Sequence, residues 1–206
     1  MSALYYCRQT TTACKGIPYP SKTHPYRYGT SGCVYTSGCG VCASLMALRN
    51  STTRVFNTRQ WTHRCLGMGA RAAEGTDMAV AARYMKEKYG LDYAITTDMD
   101  RLVAHLKQGY KAIINVSGGG KMLFSNSGHY VLAAGIDKNG NLIILDPYWY
   151  DGKFTLTAAR RKYTRVKNGR EVYVRPADLK GDVLSLWLFT PKRDVRLAYS
   201  TQDIHY

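Results

Sequence analysis

Three side chains in this sequence carry the chemistry of nucleophilic acyl transfer, and each stands where the chain changes conformation. Cys39 lies in Ser37-Gly38-Cys39-Gly40, just ahead of a run of good helix formers. A thiol at that position feels the positive end of a helix dipole and the unpaired N–H groups of a first turn, both of which favour thiolate. The flanking Gly38 and Gly40 allow a substrate backbone to approach closely. The N–H of Cys39 can itself donate to an oxyanion. His129 follows the polar stretch Ser125-Asn126-Ser127-Gly128 and leads into a strand, where an imidazole can serve as general base. Asp146, in Leu145-Asp146-Pro147, ends the next strand. Taken singly, each also reads as plain structure: a buried thiol, a lone histidine, a strand-ending turn.

The elements that must position them follow from periodicity. Residues 41–48 predict a helix with Ser37 as N-cap, and residues 76–89 a second, with Met78, Ala81, Ala82 and Met85 on one face and Gly90 as the stop. Residues 98–108 predict a third. The period then shortens: residues 111–117 read as a strand that ends at Gly118-Gly119-Gly120, a candidate hinge. Residues 129–136 and 141–145 form a hairpin across Asp137-Lys138-Asn139-Gly140. If Ile136 pairs with Asn141, Asp146 faces Val131 and His129 faces Tyr148. Asp146 and His129 then become diagonal neighbours on one face, and the carboxylate can fix the imidazole tautomer. Further strands are expected at 171–175 and 185–190. Helices precede strands, so the class is α+β, with a helix carrying the cysteine packed on an antiparallel sheet carrying His129 and Asp146. A single domain is expected over residues 1–190, its first 36 residues irregular, with 191–206 a tail or linker stub. Gly38, Gly40, Gly128, Tyr148 and Trp149 are the expected substrate-binding residues, Tyr148, Trp149 and Tyr150 being placed to line a cleft.

Composition narrows the class. With 206 residues, 45% hydrophobic, 21% charged and 12% aromatic, the chain is neither collagenous, disordered nor a coiled coil. Lys and Arg number 29 against 14 Asp and Glu, a net charge of +15 that implies an acidic partner such as nucleic acid, an anionic envelope polymer or a membrane surface. No apolar run approaches the roughly 18–20 residues of a membrane helix. The polar start, with Cys7, Arg8 and Gln9, lacks an apolar signal core, so synthesis in the cytoplasm without a signal peptide is expected. All six cysteines lie in the first third, which reads as chemistry, metal or free thiols ahead of a disulfide framework. Cys39 and Cys42 have the spacing of a redox pair or half a zinc site, but Cys7, Cys14, Cys33 and Cys65 are scattered. Cys42 therefore reads as a core residue, and no metal or cofactor is expected. His24, His63, His105 and His205 have no partner pattern. Residues 160–175 form a basic stretch with Tyr163 and Tyr173 interleaved, either a solvated face or a surface for polyanion or sugar.

The segments GCGVCASLMAL (38–48), EGTDMAVAARYMKEKYGL, LVAHLKQGYKAIINVSGG and SGHYVLAAGIDKNGNLIILDP, in this order, resemble the C39-like, papain-like cysteine peptidases over about residues 37–150. The resemblance makes Cys39 the nucleophile, His129 the base and Asp146 its orienting partner, in a chain that hydrolyses amide bonds. Two positions depart from the pattern. Val41 stands where the family has proline, and Cys33 lies six before Cys39, where bacteriocin-processing relatives carry an oxyanion glutamine. No glutamine lies between Gln9 and Gln60, so the side-chain oxyanion donor stays open, with Tyr35, Thr36 and Ser37 unranked. A basic, compact enzyme of this kind resembles a phage endolysin, a peptidoglycan endopeptidase released to the bacterial cell wall. Its expected partners are peptidoglycan peptides and anionic wall polymer, not nucleic acid or a spanned membrane, and it is expected to be a monomer. The alternatives are a protein-processing protease of the same fold, either an effector or a leader-cleaving enzyme, and a non-catalytic basic module for anionic polymer.

Overall fold

The stretch from Gly40 to Leu48 has no polar face, and a helix that is apolar all round can only be satisfied inside the molecule. In the computed structural model, which describes residues 4–192, all of Gly40, Val41, Cys42, Ala43, Ser44, Leu45, Met46, Ala47 and Leu48 are buried. The one hydroxyl among them is satisfied: Ser44 Oγ donates to the Gly40 carbonyl at 2.7 Å and accepts from Trp61 Nε1 at 2.8 Å. In chain order the elements are α1 (Thr12–Lys15), α2 (Val34–Ser37), α3 (Cys39–Ser51), α4 (Thr58–Gly67), α5 (Met78–Tyr89), β1 (Leu91–Thr96), α6 (Met99–Lys107), β2 (Lys111–Val116), β3 (His129–Ile136), β4 (Leu142–Leu145), α7 (Ala158–Tyr163), β5 (Thr164–Lys167), β6 (Glu171–Val174), α8 (Pro176–Leu179) and β7 (Val183–Pro191).

The strands form one sheet in the order β1-β7-β2-β3-β4-β6-β5, with every pairing antiparallel. Alternation along the strands divides the core into two layers. Ile113, Leu132, Leu145 and Phe189 join α3, α4 and α5 on one face. Ile114, Val131, Ile144 and Leu188 join Leu102 and Leu106 of α6, with Phe124 and Trp149, on the other. The expected α+β architecture, with the cysteine helix packed on an antiparallel sheet, is the one observed.

Several boundaries move for identifiable reasons. Gly38, not Ser37, caps α3, because Ser37 closes the short α2. Asp77 and Asp98 cap α5 and α6 by accepting first-turn N–H bonds, which delays both helix starts. Gly90 ends α5 at φ 64, a conformation that favours glycine. In the hairpin, Ile136 pairs with Leu142 instead of Asn141. Asp137 Oδ1 accepts from the N–H groups of Asn139 and Asn141 at 2.9 and 2.8 Å, closing a longer turn. A bulge between Ala133 and Gly135 then absorbs the extra residue. Beyond it Ala133 pairs with Ile144 and Leu132 with Leu145, the register expected at the end of the hairpin that carries His129 and Asp146. Sequence periodicity missed β1, β5, α4 and the short α7, whose segments are polar or brief.

Residues 4–36 are irregular apart from α1 and α2 but are firmly tied. Tyr5 exchanges backbone bonds with the Asn50 side chain at 2.8 and 2.9 Å. Of the expected tail, residues 193–206 lie outside the described residues. Among the described residues, no helix is long and apolar enough to cross a membrane.

Candidate active site

Cys39 is the first residue of α3 and is half-buried. No side chain caps α3 at Gly38, which leaves its first-turn N–H groups for the site. Burial works against the Cys39 thiolate. A hydrogen bond and charge from His129, with backbone bonds from Tyr130 and Gly40, outweigh it and hold the thiol below its ordinary value. His129 opens β3 and is buried, with Nε2 2.7 Å from Asp146 Oδ1. That leaves Nδ1 for Cys39. Burial disfavours the imidazolium, yet the Asp146 charge and hydrogen bond, followed by the contact with Cys39, push His129 up to about 9. A lowered thiol beside a raised imidazole favours the thiolate–imidazolium pair.

Asp146 is fully buried, and its acceptor sites are filled from several sides. Oδ1 takes His129 and the N–H of Tyr148 at 2.9 Å, and Oδ2 takes Lys153 Nζ at 2.5 Å. The Tyr6 hydroxyl donates to its backbone carbonyl at 2.7 Å. Burial would raise the carboxyl, but Lys153 first and then His129 hold it below its ordinary value. Lys153 itself is 2% exposed. It also donates to the Tyr148 carbonyl at 2.8 Å. Burial lowers its pKa and Arg160 adds to that, with Asp146 opposing. The sequence reading missed this lysine, and nothing in the local sequence marks it.

Gln9 was also missed, because it lies far upstream of the nucleophile. Its backbone N–H donates to the Pro147 carbonyl at 2.9 Å, and its side-chain amide donates to the Tyr35 carbonyl at 3.1 Å. It therefore joins the segment just ahead of Cys39 to the turn that follows Asp146. Its Oε1 is buried without a partner. The available signal was elimination, since Gln9 is the lone glutamine ahead of Cys39. Of the three oxyanion candidates left open, Thr36 is occupied at the start of α2 with Cys33.

The expected substrate-binding residues divide. Tyr148 is exposed, its ring edge-on to His129 at 6.4 Å. Gly128 is exposed and faces open space. Trp149 is a correction: it turns into the core against Phe154, at 9% exposure. Its neighbours Tyr148 and Tyr150 point out as Trp149 points in. Gly38 and Gly40 are buried, and packing explains the glycine at each. A Cβ on Gly38 would lie 2.4 Å from the Val34 carbonyl oxygen, and one on Gly40 2.5 Å from Thr76 Cβ. Cys42 is buried beneath the site in contact with Cys7, as a core residue.

The family model described as Peptidase_C39 like family matches residues 14–171. Among solved structures, the chain is similar to the peptidase domain of Streptococcus ComA, a bi-functional ABC transporter involved in a quorum sensing pathway. The likeness has 14% identity and a TM-score of 0.48, over 75% of this chain and 91% of that one. A comparison with curated proteins gives no match. Because the family match runs from α1 through the β3–β4 hairpin and takes in Cys39, His129 and Asp146, this chain belongs to the Peptidase_C39 like family of cysteine peptidases.

Proposed function

We propose that the protein is an endopeptidase that cuts peptide bonds of bacterial peptidoglycan. The observation that carries the chemistry is the continuous array from the Cys39 thiol through the His129 ring to Asp146 Oδ1. The Cys39 thiolate attacks the scissile carbonyl carbon, and the oxyanion that forms is met by the Cys39 N–H and the Gln9 amide. The His129 imidazolium passes its proton to the leaving amine as the C–N bond breaks, leaving a thioester on Cys39. Neutral His129 then takes a proton from water, whose oxygen attacks the thioester and releases the acid and the thiolate. Asp146 holds the ring throughout, and Lys153 holds Asp146.

The substrate class rests on charge. A net +15 concentrates the enzyme on a polyanionic, insoluble substrate such as a wall bearing anionic polymer. Arg161, Lys162, Arg165 and Lys167 are exposed together on α7 and β5, a surface suited to that polymer. On this reading the enzyme is made in the cytoplasm and acts at the wall after release. The test is digestion of purified Gram-positive walls by wild type and Cys39→Ala, with mass spectrometry of the released fragments. New amino and carboxyl ends from stem or cross-bridge peptides, absent with the variant, are expected. Cleavage of soluble proteins with intact walls would move the substrate to protein processing. Binding to walls without cleavage would leave a binding module.

A further inference from the structure

Beside the catalytic array lies a groove of about 430 Å³ whose lining includes Met122, Tyr148, Tyr150, Lys153, Leu156 and Arg160. Three observations single it out. First, of the ten large hydrophobic side chains exposed among the described residues, Met122, Tyr148, Tyr150 and Leu156 all line this one groove. Second, it holds Lys121, Lys153 and Arg160 and no acidic residue. Lys153 is taken up by Asp146, and Lys121 lies 3.6 Å from Asp178. Arg160, at 7% exposure, donates through Nε to the Met122 carbonyl and through Nη1 to the Lys153 carbonyl, both at 3.2 Å. Among the described residues no carboxylate pairs with it. A nearly buried guanidinium beside a second cation, with no counter-charge of its own, leaves positive potential in a low-dielectric site. Third, Met122 is held at φ 52, left-handed backbone that a non-glycine side chain adopts at a cost and that clusters at ligand clamps. Asp182 fixes it there by accepting its N–H at 3.2 Å, while Arg160 takes its carbonyl.

The groove opens at Tyr148, whose ring stands against His129. His129 protonates the leaving amine, so a groove reached past its ring is assigned to the leaving-group side of the scissile bond. We propose that it is a subsite for a carboxylate on the leaving segment of the peptide, with Arg160 receiving the charge and the Tyr148, Tyr150, Met122 and Leu156 rim holding the aliphatic part. The proposal rests on the peptidase reading for its orientation. The carboxylate could be an acidic side chain or the free C-terminus of the leaving peptide, and planar, forked Arg160 suits either.

The test uses matched peptides that carry Glu or Gln at each of the first three positions after the cleaved bond, each with a free or amidated C-terminus. Wild type is expected to favour the carboxylate-bearing member of one pair by about tenfold to a hundredfold in kcat/KM. The pair that shows it identifies side chain or terminus. The ratio should fall towards one in Arg160→Gln, with folding of the variant checked by circular dichroism. Equal turnover of acidic and neutral peptides by wild type overturns the subsite and leaves the peptidase standing, whatever becomes of the variant. Calorimetric binding of the same peptides to Cys39→Ala separates the two claims. If wild type cuts none of them, carboxylate preference in binding still supports the subsite while the peptidase reading falls. No preference in binding then overturns both.

Discussion

The reactivity of Cys39 depends on how each charge around it is balanced. The thiolate–imidazolium pair exists above the lowered Cys39 value and below the raised His129 value. A bell-shaped pH dependence of kcat/KM is therefore expected, with its alkaline limb near 9 and its acid limb below the ordinary thiol range. A profile rising through an unshifted thiol value would contradict the pairing. Lys153 and Asp146 are both buried and joined at 2.5 Å. Lys153→Met strands a buried carboxylate, and a loss of about 3–5 kcal/mol in denaturant stability is expected, together with a fall in kcat. Unchanged stability would mean that the ion pair is dispensable. Gln9→Ala should lower kcat by about 10²–10³ with little change in KM, the signature of an oxyanion donor. A change in KM alone would assign Gln9 to ground-state binding.

At the element scale the site depends on how closely α3 approaches its neighbours. Gly40 sits against Thr76, whose hydroxyl is itself held by the Tyr19 hydroxyl at 2.9 Å. Gly40→Ala should push the start of α3 away and cost about 10²-fold in kcat/KM, since small misplacement of reacting groups is expensive. Thr76→Gly in the same chain should restore part of the loss. No rescue would locate the defect elsewhere. The helix carrying Cys39 and the hairpin carrying His129 and Asp146 were legible in the sequence, because both are local patterns: an apolar run after Gly-Cys-Gly, and two β-branched runs about a polar turn. The exact turn was not legible. The Asp137 bonds lengthen it and the Ala134 bulge compensates, so the functional end kept its expected register. Lys153 and Gln9 escaped because their roles arise only when distant segments fold together, and a lysine is ordinarily a surface residue. Trp149 was misjudged because β4 ends at Leu145 and the bend that follows turns its ring inward between two exposed tyrosines.

At the scale of the whole molecule, the proposed wall targeting and the chemistry can be told apart through the +15 charge. Wall hydrolysis should slow as salt rises from low to physiological ionic strength, while turnover of a short neutral peptide stays nearly constant, because screening acts on the long-range field. Equal salt dependence on both substrates would remove charge from the account of wall targeting. The nucleophile itself is tested most directly by limited alkylation. Iodoacetamide is added in substoichiometric amount about two units below the ordinary thiol pKa of ~8.5. The modified cysteine is located by peptide mapping, and residual hydrolysis is assayed in the same sample. Label confined to Cys39, with activity falling in proportion, is expected. Label on other cysteines first, or full activity with Cys39 alkylated, would contradict its role as the catalytic thiolate.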